Sequence, residues 1–282
     1  MLRRTNRKWK GKQYHQYFLD LVPGGELERV PGVTTVLKAW PKGDVLTNWA
    51  ARAVAEFVAD NWEAVQALYP MGRDAVVNNL KGQHYAVRDT AAATGTDVHQ
   101  FASDLVAGTP VDVPEHLVRR VQGYAKWLDE WQVDPIGAEQ TVASRKVRYA
   151  GTFDLAARPG SGPWAGRSAM LDVKTGRGAY GEAGLQLAAY ASAELLMGPG
   201  GDELPMLPID CTGVVHVTEE GVAVYPTAAD PDAIARQFEI FRHVAWLHRQ
   251  IDYVNGAKGQ PGIIDLDHPL YASGDPGAGW EA

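Results

Sequence analysis

The chain has a single cysteine, Cys211, in 282 residues. That excludes an internal disulfide, a zinc ribbon and a four-cysteine iron–sulfur cluster. Its own reading is a small buried hydrophobe. No apolar run approaches the roughly 18–20 residues of a membrane span, so no membrane partner is expected. The basic start, MLRRTNRKWKGKQYHQY, lacks the apolar centre of a signal peptide, and the expected compartment is the cytoplasm. No Walker A sequence is present, since GPWAGRS lacks its lysine and spacing. Internal repeats and long linkers are missing too, so 1–282 reads as one domain. Nor is there an excess of positive charge. The formal net charge of −7 argues against coating nucleic acid through the whole surface. Cations nevertheless cluster: Arg3, Arg4, Arg7, Lys8, Lys10 and Lys12 run without an acid, and Arg145, Lys146 and Arg148 form a second group. Solvated surface charge and a basic groove both fit these clusters.

What is present reads as alternating element types. Residues 14–22 and 30–37 are predicted strands around Pro23-Gly24-Gly25, an N-terminal β-hairpin within 1–40. A mainly helical part follows over 44–131. Trp49, Ala53, Phe57, Trp62, Val65 and Leu68 recur at helical spacing, and a further helix is predicted over 73–80. The helix predicted over 85–106 carries an apolar stripe of Val98, Phe101, Ala102 and Leu105. His99 lies beside the stripe and Gly95 one turn earlier. The helix over 114–131 reads as core. A catalytic sheet and helix are predicted over 138–225: strands at 138–149, 150–158 and 168–175, helix 182–197 ending in Leu195 and Leu196, and a hairpin at 213–217 and 222–225. A helix over 232–254 and an irregular tail from 256 to 282 complete the chain. This is an α/β or α+β pattern: a mixed β-sheet core flanked by helices, with a helical insertion. The nine tryptophans are predicted to be mostly core.

The chemistry concentrates in 151–190, GTFDLAARPGSGPWAGRSAMLDVKTGRGAYGEAGLQLAAY. Strand side chains alternate faces. Phe153, Leu155, Leu171 and Val173 are therefore expected to face the core, with Asp154, Asp172 and Lys174 together on the opposite face. Two carboxylates about 4 Å apart repel by roughly 4 kcal/mol at an effective dielectric near 20. A shared proton, Lys174 or a bound cation has to offset that. Hard oxygen ligands suit Mg²⁺ or Mn²⁺. A lysine at the edge of such a site is able to orient or deprotonate water, or to stabilise charge on a phosphate. Gln186 and Tyr190 fall one helical turn apart and share a face. Tyr180, in the intervening loop, is suited to stack on a base, although packing is the favoured role. His15, His84, His116, His216, His243, His248 and His268 show no ligand spacing and are read as structural or exposed.

GTFD, LDVKTG and QLAAY together resemble the RecB-like branch of the PD-(D/E)XK nuclease superfamily. GTDVH at 95–99 matches the upstream helical histidine of that branch. PGVTTVL followed by LTNWA is similar to its phage-type and CRISPR-associated members. The resemblance covers roughly residues 30–190, and its specificity lies in the ordered set. It implies a restriction-endonuclease-like fold and a Mg²⁺- or Mn²⁺-dependent deoxyribonuclease, an exonuclease acting on DNA ends or single strands in repair, recombination or phage biology. It makes Asp154 and Asp172 metal-binding carboxylates, the Val173 carbonyl and His99 further ligands, Lys174 the catalytic lysine, and Gln186 and Tyr190 supports. Glu139 is a weaker candidate, with a place on the surface or behind the ligands favoured. Two departures stand out: the four iron–sulfur cysteines of many CRISPR-associated relatives are missing, and any coupling to unwinding needs a helicase or recombination partner. The competing reading is a non-catalytic DNA-binding or assembly module that keeps the fold.

Overall fold

The computed structural model describes residues 1–9, 12–176, 178–257 and 262–263. Three antiparallel strands come first, β1 (Leu2–Trp9), β2 (Lys12–Asp20) and β3 (Leu27–Val30). The predicted hairpin is thus a three-stranded sheet, and most of the basic N-terminal run forms its edge strand. Between β2 and β3 the Asp20 carboxylate accepts the Gly24 N–H at 2.7 Å, and Gly24 takes the left-handed φ of 80° that the turn requires. The segment predicted as a strand over 30–37 is instead mostly helical, α1 (Val33–Val36). The Gly32 carbonyl accepts the N–H groups of Thr35 and Val36. Val33, Val36 and Leu37 then bury one side of the turn. Their i, i+3, i+4 spacing overrides the β preference of the branched residues.

Three helices follow, α2 (Val45–Asp60), α3 (Trp62–Gln66) and α4 (Arg73–Leu80). They bury little. Ala53 is the buried residue of α2, and α4 has none. Trp62 is exposed here and Trp246 further on, against the expectation that tryptophans fill the core. Next come α5 (Gln83–Val106) and α6 (Val118–Glu130).

The remaining elements are β4 (Val133–Ser144), β5 (Tyr149–Pro159), β6 (Ala169–Lys174), α7 (Glu182–Ala191), β7 (Leu195–Met197), β8 (Glu203–Pro205), β9 (Cys211–Val217), β10 (Val222–Ala228) and α8 (Pro231–Asn255). The strands form a seven-stranded mixed sheet of order β10-β9-β6-β5-β4-β7-β8. All its pairings are antiparallel except β6 with β9, whose connection carries α7 as a crossover. The helix predicted to run to 197 stops at Ala191. Leu195 and Leu196 instead pair with Ala143 and Val142 as β7. Asp230 caps α8 by accepting the Ala233 N–H at 2.8 Å, and Pro231 occupies its first turn.

Both faces of the large sheet are covered. On one, Phe153, Met170 and Val214 pack with α1, α7 and α8 through Val33, Leu187 and Phe241. On the other, Leu155, Leu171, Val173 and Val215 meet Val98, Ala102, Tyr124 and Trp127 of α5 and α6. The N-terminal sheet covers the rest of that second face, where Leu2, Tyr17 and Leu19 pack on Ala143 and Ala150. This corrects the expectation of one core face and one polar face: a strand with its neighbours covered on both sides is apolar on both. Phe153 and Leu155, expected to point the same way, belong to opposite faces. The alternation breaks where Glu139, between the pairs Ala138–Leu155 and Gln140–Phe153, adopts φ 50°, uncommon for a residue with a Cβ. Among the described residues no helix is long and apolar enough to cross a membrane. The predicted tail lies almost wholly outside the described residues, as do Lys10 and His268.

Candidate active site at a strand fork

The central strands separate where the acids lie. β5 and β6 pair through Leu155–Leu171, Ala156–Met170 and Ala157–Ala169. On the other side of Leu171, β6 follows β9 through Asp172–Val214 to Lys174–His216, while β5 follows β4. Asp154 and Asp172 are the first residues inside the fork. A backbone N–H at such a split still requires an acceptor. For Val173 it is the side chain of Asp154, whose Oδ2 accepts at 2.8 Å.

Three further elements converge there. Helix α5 brings His99 Nδ1 to 3.3 Å from Asp154 Oδ2. Its neighbours Val98 and Ala102 hold it against the sheet. At Gly95 a Cβ would stand 3.4 Å from Thr175 Oγ1, so the small residue lets the helix lie close to the end of β6. Helix α7 supplies Gln186, whose Nε2 donates to Asp172 Oδ1 at 2.9 Å and lies 3.3 Å from the Tyr190 hydroxyl. Lys174 Nζ stands 2.5 Å from Asp172 Oδ2, an ion pair without hydrogen-bond angles, and that oxygen has no hydrogen-bond partner among the described residues. Asp172 is buried, and Lys174 reaches towards solvent.

Gly151 has a steric role. A Cβ there would sit 2.5 Å from Tyr190 Cε1 and 3.2 Å from Val33 Cγ2. The glycine of G-x-x-D therefore makes room for the tyrosine that backs Gln186. Gly151→Ala should lower stability by about 1–3 kcal/mol, the usual cost of overpacking. Thermal unfolding checks this, and an unchanged midpoint would mean that the ring moves aside freely.

Burial sets the electrostatics, and neighbouring charges then divide the acids. Burial, followed by the charge of Asp154, raises Asp172 to about 6 despite Lys174. For Asp154 burial pushes upward, but His99, Lys174 and the Val173 N–H outweigh it and hold the carboxyl below its ordinary value. Burial likewise opposes charge on His99, and its bond to Asp154 prevails, raising it.

One residue acquires a larger role than its sequence position suggested. Glu139 was expected on the surface or behind the ligands. One ligand atom each from His99, Glu139 and Asp154 lies within 4.8 Å of the others. The Glu139 side chain is exposed at the surface, as expected, yet the sheet and helix crowded around its inner side and the charge of Asp154 push it up to about 7. These three residues, with Tyr124 and Val173, line a cavity of about 10 Å³, room for roughly one water-sized body. The left-handed backbone at Glu139 is invisible in sequence. Its place across from Asp154 in the β4–β5 ladder is the signal that points to it.

Other candidates lie apart from these contacts. Tyr180 is exposed. Arg145 is held by Asp20 and Glu203 at 2.5 and 2.7 Å, so that member of the second basic cluster serves the fold. His216 Nε2 meets the Gly176 carbonyl at 2.7 Å and braces the loop after Lys174.

No protein-family model and no curated protein sequence matches the chain. Among solved structures, a crystal structure of SSO0001 is similar at 13% identity, covering 79% of this chain and 80% of that one, with a TM-score of 0.28. A likeness of that degree carries no argument about fold or activity.

Proposed function

We propose that the protein is a divalent-metal-dependent deoxyribonuclease of the RecB-like branch, with a restriction-endonuclease-like fold, acting as an exonuclease on DNA ends or single strands. The observation that carries this reading is the fork itself. His99, Glu139 and Asp154 converge on a water-sized cavity, with Asp172 and Lys174 alongside.

The donor set fits a metal. It offers one imidazole and several carboxylates, and the buried Asp172 Oδ2 is met only by the Lys174 ammonium among the described residues. His99, Asp154, Asp172 and Glu139 would hold the ion, together with the Val173 carbonyl that the family resemblance adds. Imidazole among oxygen ligands favours Mn²⁺ over Mg²⁺. When bound, such an ion supplies Lewis acidity and a more acidic water.

The protein's own groups do the positioning. Gln186 fixes Asp172 through Oδ1, and Tyr190 stands behind Gln186. The Val173 N–H fixes Asp154. Lys174, at the open edge, places its ammonium where a phosphate oxygen or the attacking water can receive a hydrogen bond. Attack of water on phosphorus with departure of the 3′-oxygen leaves a 5′-phosphate and a 3′-hydroxyl, the products that the resemblance implies. Coupling to unwinding would come from a helicase or recombination partner.

The test is incubation of purified protein with labelled single- and double-stranded DNA under Mn²⁺, Mg²⁺ or EDTA. Cleavage is expected with Mn²⁺ at least as fast as with Mg²⁺, none with EDTA, and none by a folded Lys174→Ala variant. Absence of cleavage with either metal would favour the non-catalytic DNA-binding module.

A further inference from the structure

The polar network beside the fork contains a cation that the proposed chemistry leaves unused. Arg4, on β1, extends Nη1 to Thr152 Oγ1 at 3.2 Å. The same hydroxyl meets the Tyr17 hydroxyl and Thr141 Oγ1, each at 3.2 Å. Three contacts use the one donor and two acceptor positions of a threonine. Thr152 and Asp154 lie two residues apart on β5, and Thr141 and Glu139 two apart on β4. That separation is ~7 Å along a strand.

The first basic run therefore does not merely decorate the surface. Arg4 is half-buried, and Arg3 and Arg7 are exposed. In the β1–β2 register Arg4 pairs with Tyr17 and Asn6 with His15. Successive residues of this spacing share a face, so Arg4, Tyr17, Asn6 and His15 line the inner side of the N-terminal sheet. His15 Nδ1 and Asn6 Oδ1 are 2.8 Å apart. Arg4 makes no ion pair among the described residues, and its charge is felt at Glu139, Tyr17 and His15. One of its five donors is committed to Thr152. A planar fork of free donors, anchored by a neutral hydroxyl and unmatched by a carboxylate, is built to receive an oxyanion.

We propose that Arg4 binds a backbone phosphate of the DNA strand seated in the fork, and that the inner side of the N-terminal sheet is the wall along which this strand lies. The proposal rests on the nuclease reading for its choice of ligand. Lys174 and Arg4 would then each hold a phosphate of the same strand.

The experiment measures binding of a fluorescent single-stranded oligonucleotide against salt concentration, for the wild type, Arg4→Gln and Arg4→Ala, with Ca²⁺ present. Arg4→Gln keeps hydrogen-bonding groups for Thr152 and removes the charge. Both variants should bind at least about fivefold more weakly at 100 mM salt, and the slope of log affinity against log salt should fall by about 1. The melting temperature of Arg4→Gln should match the wild type, which a merely structural role for the Arg4–Thr152 contact would not allow. Cleavage under Mn²⁺ should show a raised KM. Wild-type cleavage with unaltered KM and salt slope in Arg4→Gln would overturn the Arg4 assignment and leave the nuclease reading standing. Arg4-dependent binding without cleavage by any metal-loaded wild type would overturn the nuclease reading and support the wall. Wild-type protein that neither binds nor cleaves DNA would overturn both.

Discussion

Asp172→Asn should make the metal-free protein more stable while removing the proposed nuclease activity. In the fold, burial and Asp154 raise the Asp172 carboxyl to about 6, from an ordinary 3.8. A raised carboxyl holds its proton more tightly when folded than unfolded. The contribution of Asp172 to stability is therefore lost as pH rises from about 4 through about 6, by about 3 kcal/mol at pH 8. An asparagine retains an Oδ1 acceptor for Gln186 Nε2 and carries no charge to repel Asp154. Lys174, already partly in solvent, loses its partner at little cost. The variant should melt several degrees higher at pH 8, and the gap should close near pH 4. DNA cleavage should fall by about a thousandfold, the scale on which a lost charge at a metal site acts. Gain of stability with loss of function marks a site whose groups are held for chemistry against the preference of the fold. A variant that melts lower than the wild type at pH 8 and cleaves normally would contradict this assignment.

The second large effect is the pH dependence of metal binding. Ligands must shed their protons to bind a cation, so affinity falls wherever the metal-free site holds them. Glu139, pushed to about 7 by desolvation and Asp154, takes a proton as pH falls through neutrality. Asp172 follows at about 6. His99, raised by Asp154, also holds a proton that a metal would displace. Mn²⁺ affinity measured by calorimetry should be nearly flat above pH 8. It should drop roughly tenfold per pH unit below 7 and more steeply below 6, each competing proton adding a factor of ten per unit. Comparing buffers of different ionisation enthalpy should reveal proton release that begins as pH falls towards 7 and grows further below 6. An affinity independent of pH from 8 to 5.5 would mean that Glu139 and Asp172 are not ligands.

The sequence announces most of these residues and conceals their arrangement. His99, Gln186 and Tyr190 are legible because helical spacing fixes which side chains share a face. Asp154, Asp172 and Lys174 are legible because single charges stand out in apolar strands. Concealed are the features that depend on distant chain. The fork exists because β6 follows β9, more than thirty residues downstream, and no local pattern records that pairing. The burial of both sheet faces arises because α5, α6 and the N-terminal sheet close over residues that were expected to face away. Glu139 depends on a left-handed backbone angle that its own sequence does not demand. The strand predicted over 30–37 fails for the same kind of reason, since burial of Val33, Val36 and Leu37 decides between two local conformations of similar energy. Arg4 was visible as charge, and only the β1–β2 register turns it towards Thr152.

The most direct measurement is the anomalous diffraction of a crystal soaked in Mn²⁺. A single strong peak is expected in the cavity at the fork, within about 2.0–2.5 Å of His99, Asp154 and at least one of Glu139 and Asp172. It should disappear in Asp154→Asn. A well-ordered crystal in millimolar Mn²⁺ with no peak among these residues, or a peak held by other side chains, would contradict the account.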